Sequence, residues 1–562
     1  MKKKRYILGI QLPRHSSVSL FESNKLVECV QEERFSRKKG DIFKLPNLSL
    51  KYLIKKYNLN SKNVECINYS GEGGNLDRNL YNIKFLKFLK ENKKFKKLIL
   101  KREKNQNNDS FRNLTRNLIS KFFKNVKINF FDHHSSHAAS AIYGSNYDKA
   151  IIFTLDGRGN YKSGSVFLKK KNKELIEYDY NLTFQSLGFL YGQITDYLGF
   201  VAHRHEGKIT GLAAYGNYKK TINFFKKIVQ FKSGKIKFNY KYFHPYNISY
   251  NKNFRRELKK FSKADIAAGV QKITEDVAIK WIKYYCDKIN YKTNICLAGG
   301  VFSNVKINHE IRKKIKPKNL YIFPAMGDSG LSFGANCLYL QSKKIFKLKK
   351  YYDDKNGISF SDKKIKSILF KNKNLKVQNI KKFYSKNIAD EIINGKIVGL
   401  FRGKMEFGPR ALLNRSIICR TDYKNVNDVL NKRLNRTEFM PFAPVTIPQY
   451  AKNCFINWKN HHRNTDNMTE VYKCTKLYSK AERGVVHLDY TARPQVIRND
   501  KNFAKIIQTV NKKTKLKSLI NTSFNAHEEP IVATPQEAIN NLLSKRIDIL
   551  FVGNFKVNLI KK

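Results

Sequence analysis

KAIIFTLDGRGNYKSGSVFL, residues 149–168, carries the reading on which the fold turns. A short apolar run, Ala150–Leu155, empties into the glycine-rich DGRG turn, and a second apolar run follows. That pattern is strand, glycine turn, strand. The same design recurs twice downstream. NICLAGGVFSNVKIN (294–308) is strand, Gly299–Gly300, helix, and LYIFPAMGDSGLSFGANCLYL (320–340) is strand, glycine turn, helix. Strands that open into glycine turns present backbone N–H groups to anions, as α/β folds do. No GxxxxGK[ST] sequence occurs, and no GxGxxG opens a helix after a strand, which disfavours Walker-type and Rossmann nucleotide sites.

Working outward, RYILGIQ, SVSLFES and KLVECVQEERFS read as three successive strands at the start of the first domain. Residues 79–127 differ, with Lys-rich helical patterns in which Phe85, Leu86, Phe88 and Leu89 form one apolar stripe. A helix packed on its own domain accounts for that stripe more simply than a membrane-surface role does. The texture turns polar and Lys-rich over 346–385, which reads as a linker region. At SKNIADEIINGKIVGLFRG (385–403) Ser385 is a candidate N-cap, Gly395 a helix terminator and KIVGLF a buried strand. The domain reading is therefore 1–345, with a basic helical insert, then 386–562 as a second α/β domain. No internal repeat of fixed period is visible.

The 562 residues are 41% hydrophobic, enough for two or three real cores. Lys plus Arg is 110 against 44 for Asp plus Glu, a net charge of +66. The excess is spread along the whole chain and rides with abundant Asn, Ile, Tyr and Phe, a profile that an AT-rich genome also produces. No nucleic-acid partner is therefore expected from charge alone. The eight cysteines form no CxxC pair, which fits a reducing cytosol. No run reaches transmembrane length, and the start is too soon broken by Pro13 and Arg14 for a secretory signal. Cytoplasmic localisation is the expectation, and a homodimer stays open.

The sharpest chemical signal is FDHHSSHAASA (131–141). His133 and His137, four apart, share a face if the segment is helical, so two imidazoles can meet one ion. Asp156 in TLDGRG and Asp328 in PAMGDSG are carboxylates placed to join them, although Asp beside Gly is also ordinary turn chemistry. Two His and two carboxylates suit iron(II), manganese or another octahedral divalent ion better than a closed structural zinc. His15 follows the first strand and could act as a general base. In HRHEGKITGLAAYG, Glu206 and Lys208 could hold ribose and phosphate, or form a salt-bridged surface loop. In the second domain, Arg402, Lys404, Arg410 and Arg415 crowd around Gly403 and Gly408, and Lys432, Arg436, Arg493, Asn521, Ser523 and Asn525 add to them. Arg forks bind phosphate bidentately, so these residues suggest a cationic cavity for more than one phosphate.

Taken in order, His15-Ser16-Ser17, EERFSRKK, DHHSSHAASA, TLDGRG, HEGKITGLAAYG, LAGGVFSNVKIN, MGDSG, MEFGPRALLNRS, PFAP, TARPQ and NTSFNAHEEPIV resemble the NodU/CmcH-type O-carbamoyltransferases. The resemblance spans nearly the full chain apart from the basic insert and the linker. It implies a mixed α/β protein, an N-terminal ASKHA-type (actin/hexokinase-like) domain followed by a YrdC-like α/β domain. It implies that the second domain makes carbamoyl adenylate from carbamoyl phosphate and ATP, and that the first moves the carbamoyl group to an acceptor hydroxyl. Carried over, His133, His137, Asp156 and Asp328 match metal ligands, with iron(II) foremost and manganese or magnesium as alternatives. His15 matches the proposed base, with Lys39 and Arg493 as further catalytic positions. Glu206, Lys208, Gly299, Gly300 and Asn304 match nucleotide contacts, and the Arg, Lys, Asn and Ser set above matches the phosphate pocket. The chain departs from many relatives at Lys39-Gly40-Asp41, where KHD is common. It departs again at Met440, where Arg is common and Arg433 or Arg436 could supply the charge, and at His527-Glu528. A sugar-type acceptor, in a cell-surface glycan or a natural product, is the expectation. The competing readings are a fused enzyme making threonylcarbamoyladenosine in tRNA and a non-enzymatic basic surface-binding protein.

Overall fold

The opening strands form the meander that their apolar runs predict. β1 (Tyr6–Gln11), β2 (Ser17–Glu22) and β3 (Lys25–Gln31) run antiparallel, and β4 (Val64–Ser70) and β5 (Lys127–Phe131) add in parallel on the other side of β1. The order is β3-β2-β1-β4-β5. These coordinates are a computed structural model that describes residues 5–40, 45–71, 78–104, 108–244, 251–344, 352–423, 425–437 and 439–560. The chain divides into two units, Met1–Glu32 with Gly40–Tyr352, and Glu33–Lys39 with Asp353–Lys562.

β6 (Ala150–Gly159), β7 (Lys162–Lys169) and β8 (Leu175–Leu182) repeat the meander. A small hairpin follows, β9 (Val229–Lys232) with β10 (Lys235–Phe238). β11 (Asn294–Ala298) and β12 (Asn319–Ile322) then join in parallel beside β6, giving the order β12-β11-β6-β7-β8. Read from β8, this is the topology of the first sheet again. The first unit is thus a duplicated ASKHA-type α/β fold. The sequence hid the duplication because the copies share connectivity and not spacing, the crossovers differing in length and content.

A helix follows each sheet, His133–Ser145 after β5 and Leu331–Ser342 after β12. The first lies on β6 and β11, the second on β1 and β4, and the two helices meet. Gly334 permits that meeting, since a Cβ there would stand 1.9 Å from the Ser136 carbonyl oxygen. The insert holds helices Arg78–Glu91, Lys96–Lys104 and Asn108–Ser120. Tyr81, Phe85, Phe88 and Leu89 are buried in the first unit's core, whereas Leu86, read as part of the same stripe, is 58% exposed. At 100° per residue, Tyr81 completes the face with Phe85 and Phe88, and Leu86 is carried round to the outside.

The second unit is built on one eight-stranded mixed sheet. Its strands are β13 (Leu375–Asn379), β14 (Val398–Phe401), β15 (Arg415–Cys419), β16 (Ala443–Thr446), β19 (Gln495–Val496), β20 (Leu519–Ser523), β21 (Ile549–Val552) and β22 (Phe555–Leu559). Their order is β13-β22-β21-β14-β15-β20-β16-β19, with a separate pair β17 (Tyr472–Lys473) and β18 (Thr491–Ala492). The sequence expectation of a linker over 346–385 is corrected here. Residues 345–351 lie outside the described residues, but from 353 onward the chain belongs to the second unit. Ser361 caps the helix Asp362–Leu369, whose Ile365 and Leu369 are buried with Leu375 of β13. The apolar residues are few but correctly spaced, and the surrounding Lys and Asn disguised them. Ser385 lies inside the helix Tyr384–Ile393 and donates to the Asn502 carbonyl, so it is not the N-cap. The EERFS segment is likewise not strand beyond Gln31. Glu33–Ser36 is a helical turn, and Glu33–Lys39 counts with the second unit.

Candidate active site

The helix His133–Ser145 starts where Asp132 caps it, its carboxylate accepting from Ser135 N at 2.8 Å. That start sets His133 and His137 on one face. β6 supplies Asp156, which does not sit in a turn as read from sequence. The turn is Asn160–Tyr161, both at positive φ, and Asp156 lies in a bulge of β6 between Leu155 and Gly159. Bulges re-aim side chains, and this one brings the carboxylate to the histidines. Asp156 Oδ2 lies 3.1 Å from His137 Nε2 and 3.5 Å from His133 Nε2. Asp328, from the turn after β12, lies 3.7 Å from each imidazole. Donor atoms of all four residues fall within 4.8 Å of one another. Burial opposes the charged Asp156 carboxylate, but the hydrogen bonds and charge of His133 and His137 outweigh it and hold the group well below its ordinary range. Two imidazoles and two carboxylates converging in one buried place are a donor set that a divalent cation fits.

Neighbouring groups hold this cluster in position. Lys162 is 3% exposed, lies 3.3 Å from Asp132 and bonds Glu177 at 2.8 Å. It therefore anchors the residue that caps the helix carrying His133 and His137. His134 points the other way, with Nδ1 2.9 Å from Thr154 Oγ1, and burial followed by the charge of His133 drives it well below its ordinary pKa. Gly159 leaves room for His133, since a Cβ there would stand 2.2 Å from the imidazole ring. None of Asp132, Lys162 and Gly159 was among the sequence candidates, although the DHH spacing held the capping signal.

His15 is half-buried at φ 48°, in the turn before β2. Two residues on, the Ser17 hydroxyl donates to the Ser329 carbonyl at 2.7 Å, which ties the His15 turn to the Asp328 turn. His203 belongs to the same neighbourhood. Burial, then the charge of Arg14 and in smaller part that of His15 lower it to about 4, against the pull of Asp156 and Asp328. Glu206 accepts from the His203 backbone N–H at 2.5 Å and is raised by burial. Lys208 is buried, 5.7 Å from the Phe200 ring centroid. Asn304 caps the helix Val305–Ile315 and donates to Gln271 Oε1 at 2.7 Å and Thr210 Oγ1 at 3.2 Å. Gly299, at φ 102°, lies against Leu155, where a Cβ would stand 2.2 Å from its carbonyl oxygen. Gly300 borders Asp156, with 3.1 Å from a built Cβ to Oδ1. Of the nucleotide candidates, Gly300 borders the cluster directly and Glu206 reaches it through His203, while Lys208 and Asn304 bond elsewhere in the first unit. Lys39 is exposed and counts with the second unit.

In the second unit the arginines divide into two kinds. Arg415 is fully buried, donates to the carbonyls of Arg402, Asn414 and Ile358, and lies 3.6 Å from the Phe401 ring centroid. Arg402 donates to the Leu413 carbonyl at 2.8 Å and pairs with Asp500 at 2.5 Å. Arg436 bonds Thr522 Oγ1, Ser523 Oγ and Asn525 Oδ1, so three expected pocket residues hold one another. Arg433 instead pairs with Asp548 at 2.6 Å, which leaves Arg436 as the charge nearest the NTSFN loop. Arg410 and Arg493 act on each other through their charge. Burial pushes Arg410 well below its ordinary pKa, and the charge of Arg493 adds to the effect, as two cations brought together require. Asn521 donates to Gln495 Oε1 at 2.7 Å and to the Ala411 carbonyl, beside Arg410. Lys404 and Lys432 are exposed. Glu406, absent from the sequence candidates, is buried and accepts from the backbone N–H of Leu412, Asn414 and Arg415, so it shapes the GPRALLNR loop.

Fold and site define a two-unit α/β protein with an ASKHA-type half that carries a convergent imidazole–carboxylate cluster. The chain belongs to the carbamoyltransferase family: the family described as Carbamoyltransferase N-terminus matches residues 6–337, and that described as Carbamoyltransferase C-terminus matches 389–559. It is 31% identical to uncharacterized protein MJ1051 of Methanocaldococcus jannaschii, over 99% of this chain and 100% of that one. It is 27% identical to nodulation protein NolNO of Sinorhizobium fredii, over 97% of this chain and 78% of the relative. Among solved structures, HypF of T. kodakarensis is similar over 60% of this chain and 48% of its own, at 14% identity and a TM-score of 0.36.

Proposed function

We propose that this carbamoyltransferase is an O-carbamoyltransferase acting in two stages on carbamoyl phosphate, ATP and a sugar-type hydroxyl. In the first stage water cleaves carbamoyl phosphate to carbamate and inorganic phosphate, and the carbamate attacks the α-phosphorus of ATP, releasing pyrophosphate and leaving carbamoyl adenylate. In the second the acceptor oxygen attacks the carbamoyl carbon, AMP departs, and the hydroxyl proton passes to a base. Carbamate alone resists attack because it is anionic and its nitrogen feeds electrons into the carbonyl. Linking it to AMP lowers that electron density and supplies a leaving group.

The observation that carries the reading is the convergence of His133, His137, Asp156 and Asp328 beside the His15 turn. These four side chains would hold a divalent cation, iron(II) foremost, with manganese or magnesium as alternatives, and the bound ion supplies Lewis acidity toward a phosphate oxygen. One ring nitrogen of His15 takes the acceptor proton. His203, lowered to about 4, stays neutral at physiological pH and adds no positive charge beside that base. Glu206, Lys208, Gly299, Gly300 and Asn304 serve the nucleotide. In the second unit Arg410 and Arg493 receive the phosphoryl oxygens, where negative charge develops as pyrophosphate leaves. Arg402, Arg415 and Arg436 hold the loops around them.

The test is to incubate the protein with ATP and carbamoyl phosphate, follow pyrophosphate, and screen candidate sugars by mass for a carbamoyl gain. His137→Ala should abolish transfer while pyrophosphate release stays measurable. Normal acceptor carbamoylation by that variant would refute the assignment.

A further inference from the structure

The helix Arg78–Glu91 is apolar on two faces. Its inner face is fully engaged. Tyr81 stacks on Phe85 at 5.6 Å between ring centroids, and Phe85 and Phe88 stack on Phe184 at 6.0 and 5.6 Å. Lys84 is fixed between them by an ion pair with Asp179. The helix cannot rotate without undoing these contacts. Its outer face carries Leu80, Ile83 and Leu86, which are 44, 66 and 58% exposed. They recur every three residues, so they line one side of the helix.

The same outer side carries Lys87 and Lys90, both exposed, which lie on the wheel beside Ile83. Lys93, Lys94, Lys96 and Lys97 follow in the next turns, also exposed. The one carboxylate among them, Glu91, is paired with Lys235 at 2.9 Å. An apolar ridge interleaved with lysines and locked in orientation matches an anionic lipid surface. The aliphatic side chains enter the acyl boundary, and the lysine stems follow while their ammonium groups stay among the headgroup phosphates. A protein partner with an acidic groove would complement the lysines but would not need three large aliphatic groups presented in a row.

We propose that this insert is a membrane-docking element that seats the protein on anionic bilayers through Leu80, Ile83 and Leu86, with the neighbouring lysines steering it there. The inference goes beyond the transfer reaction, and its test makes no use of that reaction. Among the described residues no helix is long and apolar enough to cross a membrane, so the association is peripheral and reversible.

The full chain is sedimented with vesicles of phosphatidylcholine alone and of phosphatidylcholine with phosphatidylglycerol, at about 0.15 M and 0.5 M salt, where screening differs strongly. The protein should partition onto the anionic vesicles at the lower salt. The triple variant Leu80→Asn/Ile83→Asn/Leu86→Asn keeps every charge and should lose about tenfold or more of that partitioning. Lys87→Gln/Lys90→Gln should weaken it less, and more so at low salt. Equal binding by the triple variant would show that the net charge of +66 acts alone and would overturn the proposal. Binding to neutral vesicles as tight as to anionic ones, or no binding at all, would overturn it too. So would a shift from dimer to monomer in the triple variant without lipid, since the face would then belong to a second copy. A melting curve confirms that the variants fold.

Discussion

Single side chains decide whether the imidazole–carboxylate cluster closes. Gly159 is the sharpest case, because the His133 ring occupies the space that any Cβ would need. Gly159→Ala should therefore lower divalent-ion binding at least tenfold, measured by metal content after dialysis. Its melting temperature should fall too, since the ring that must shift is buried. In the second unit the charge of Arg493 acts on Arg410, and Arg493→Gln should relieve that repulsion. Pyrophosphate release should slow by tenfold or more while thermal stability holds or rises. A fall in stability with unchanged release would assign Arg493 a packing role instead.

At the scale of elements, the helix His133–Ser145 depends on a pair outside it. Lys162 on β7 holds Asp132, which caps that helix, so β7 transmits its register to His133 and His137. Lys162→Met leaves Asp132 and Glu177 as buried charges without their cation and should cost about 3–5 kcal/mol. Metal affinity should drop with it, and Lys162→Arg should restore much of both. Loss of stability with unaltered metal affinity would limit Lys162 to packing. The helix Lys263–Ile289 carries a second element-scale effect through Glu275, which accepts from Gln271 at 2.8 Å. Burial pushes Glu275 up to about 7, from an ordinary 4.5. Because the folded value is the higher one, its stabilising contribution is complete below about pH 4.5 and is lost as pH rises through about 7. Denaturation midpoints should fall across that window, and Glu275→Gln should flatten the fall. An unchanged profile in the variant would place the dependence elsewhere.

At the scale of the whole molecule, the chain order and the packing order differ. Residues 33–39 follow the first meander yet belong to the second unit, where Arg34 donates to the Gly408 carbonyl and Arg37 to those of Pro530 and Ile531. Arg37→Met should therefore speed amide exchange around residues 528–533, almost 500 positions away, with little change in β1 to β3. The sequence by itself determined the glycine-turn design, the strand meander, the histidine pair of the imidazole–carboxylate cluster and the family, because each rests on local spacing or on an ordered set of motifs. Spacing along a strand or helix is fixed by backbone geometry, so it can be read without a structure. It did not show the sheet duplication, the helical and strand content of the presumed linker, or which arginines serve backbone carbonyls. Those follow from long-range pairing, where a side chain's role is set by what the fold brings against it and not by its neighbours in the chain.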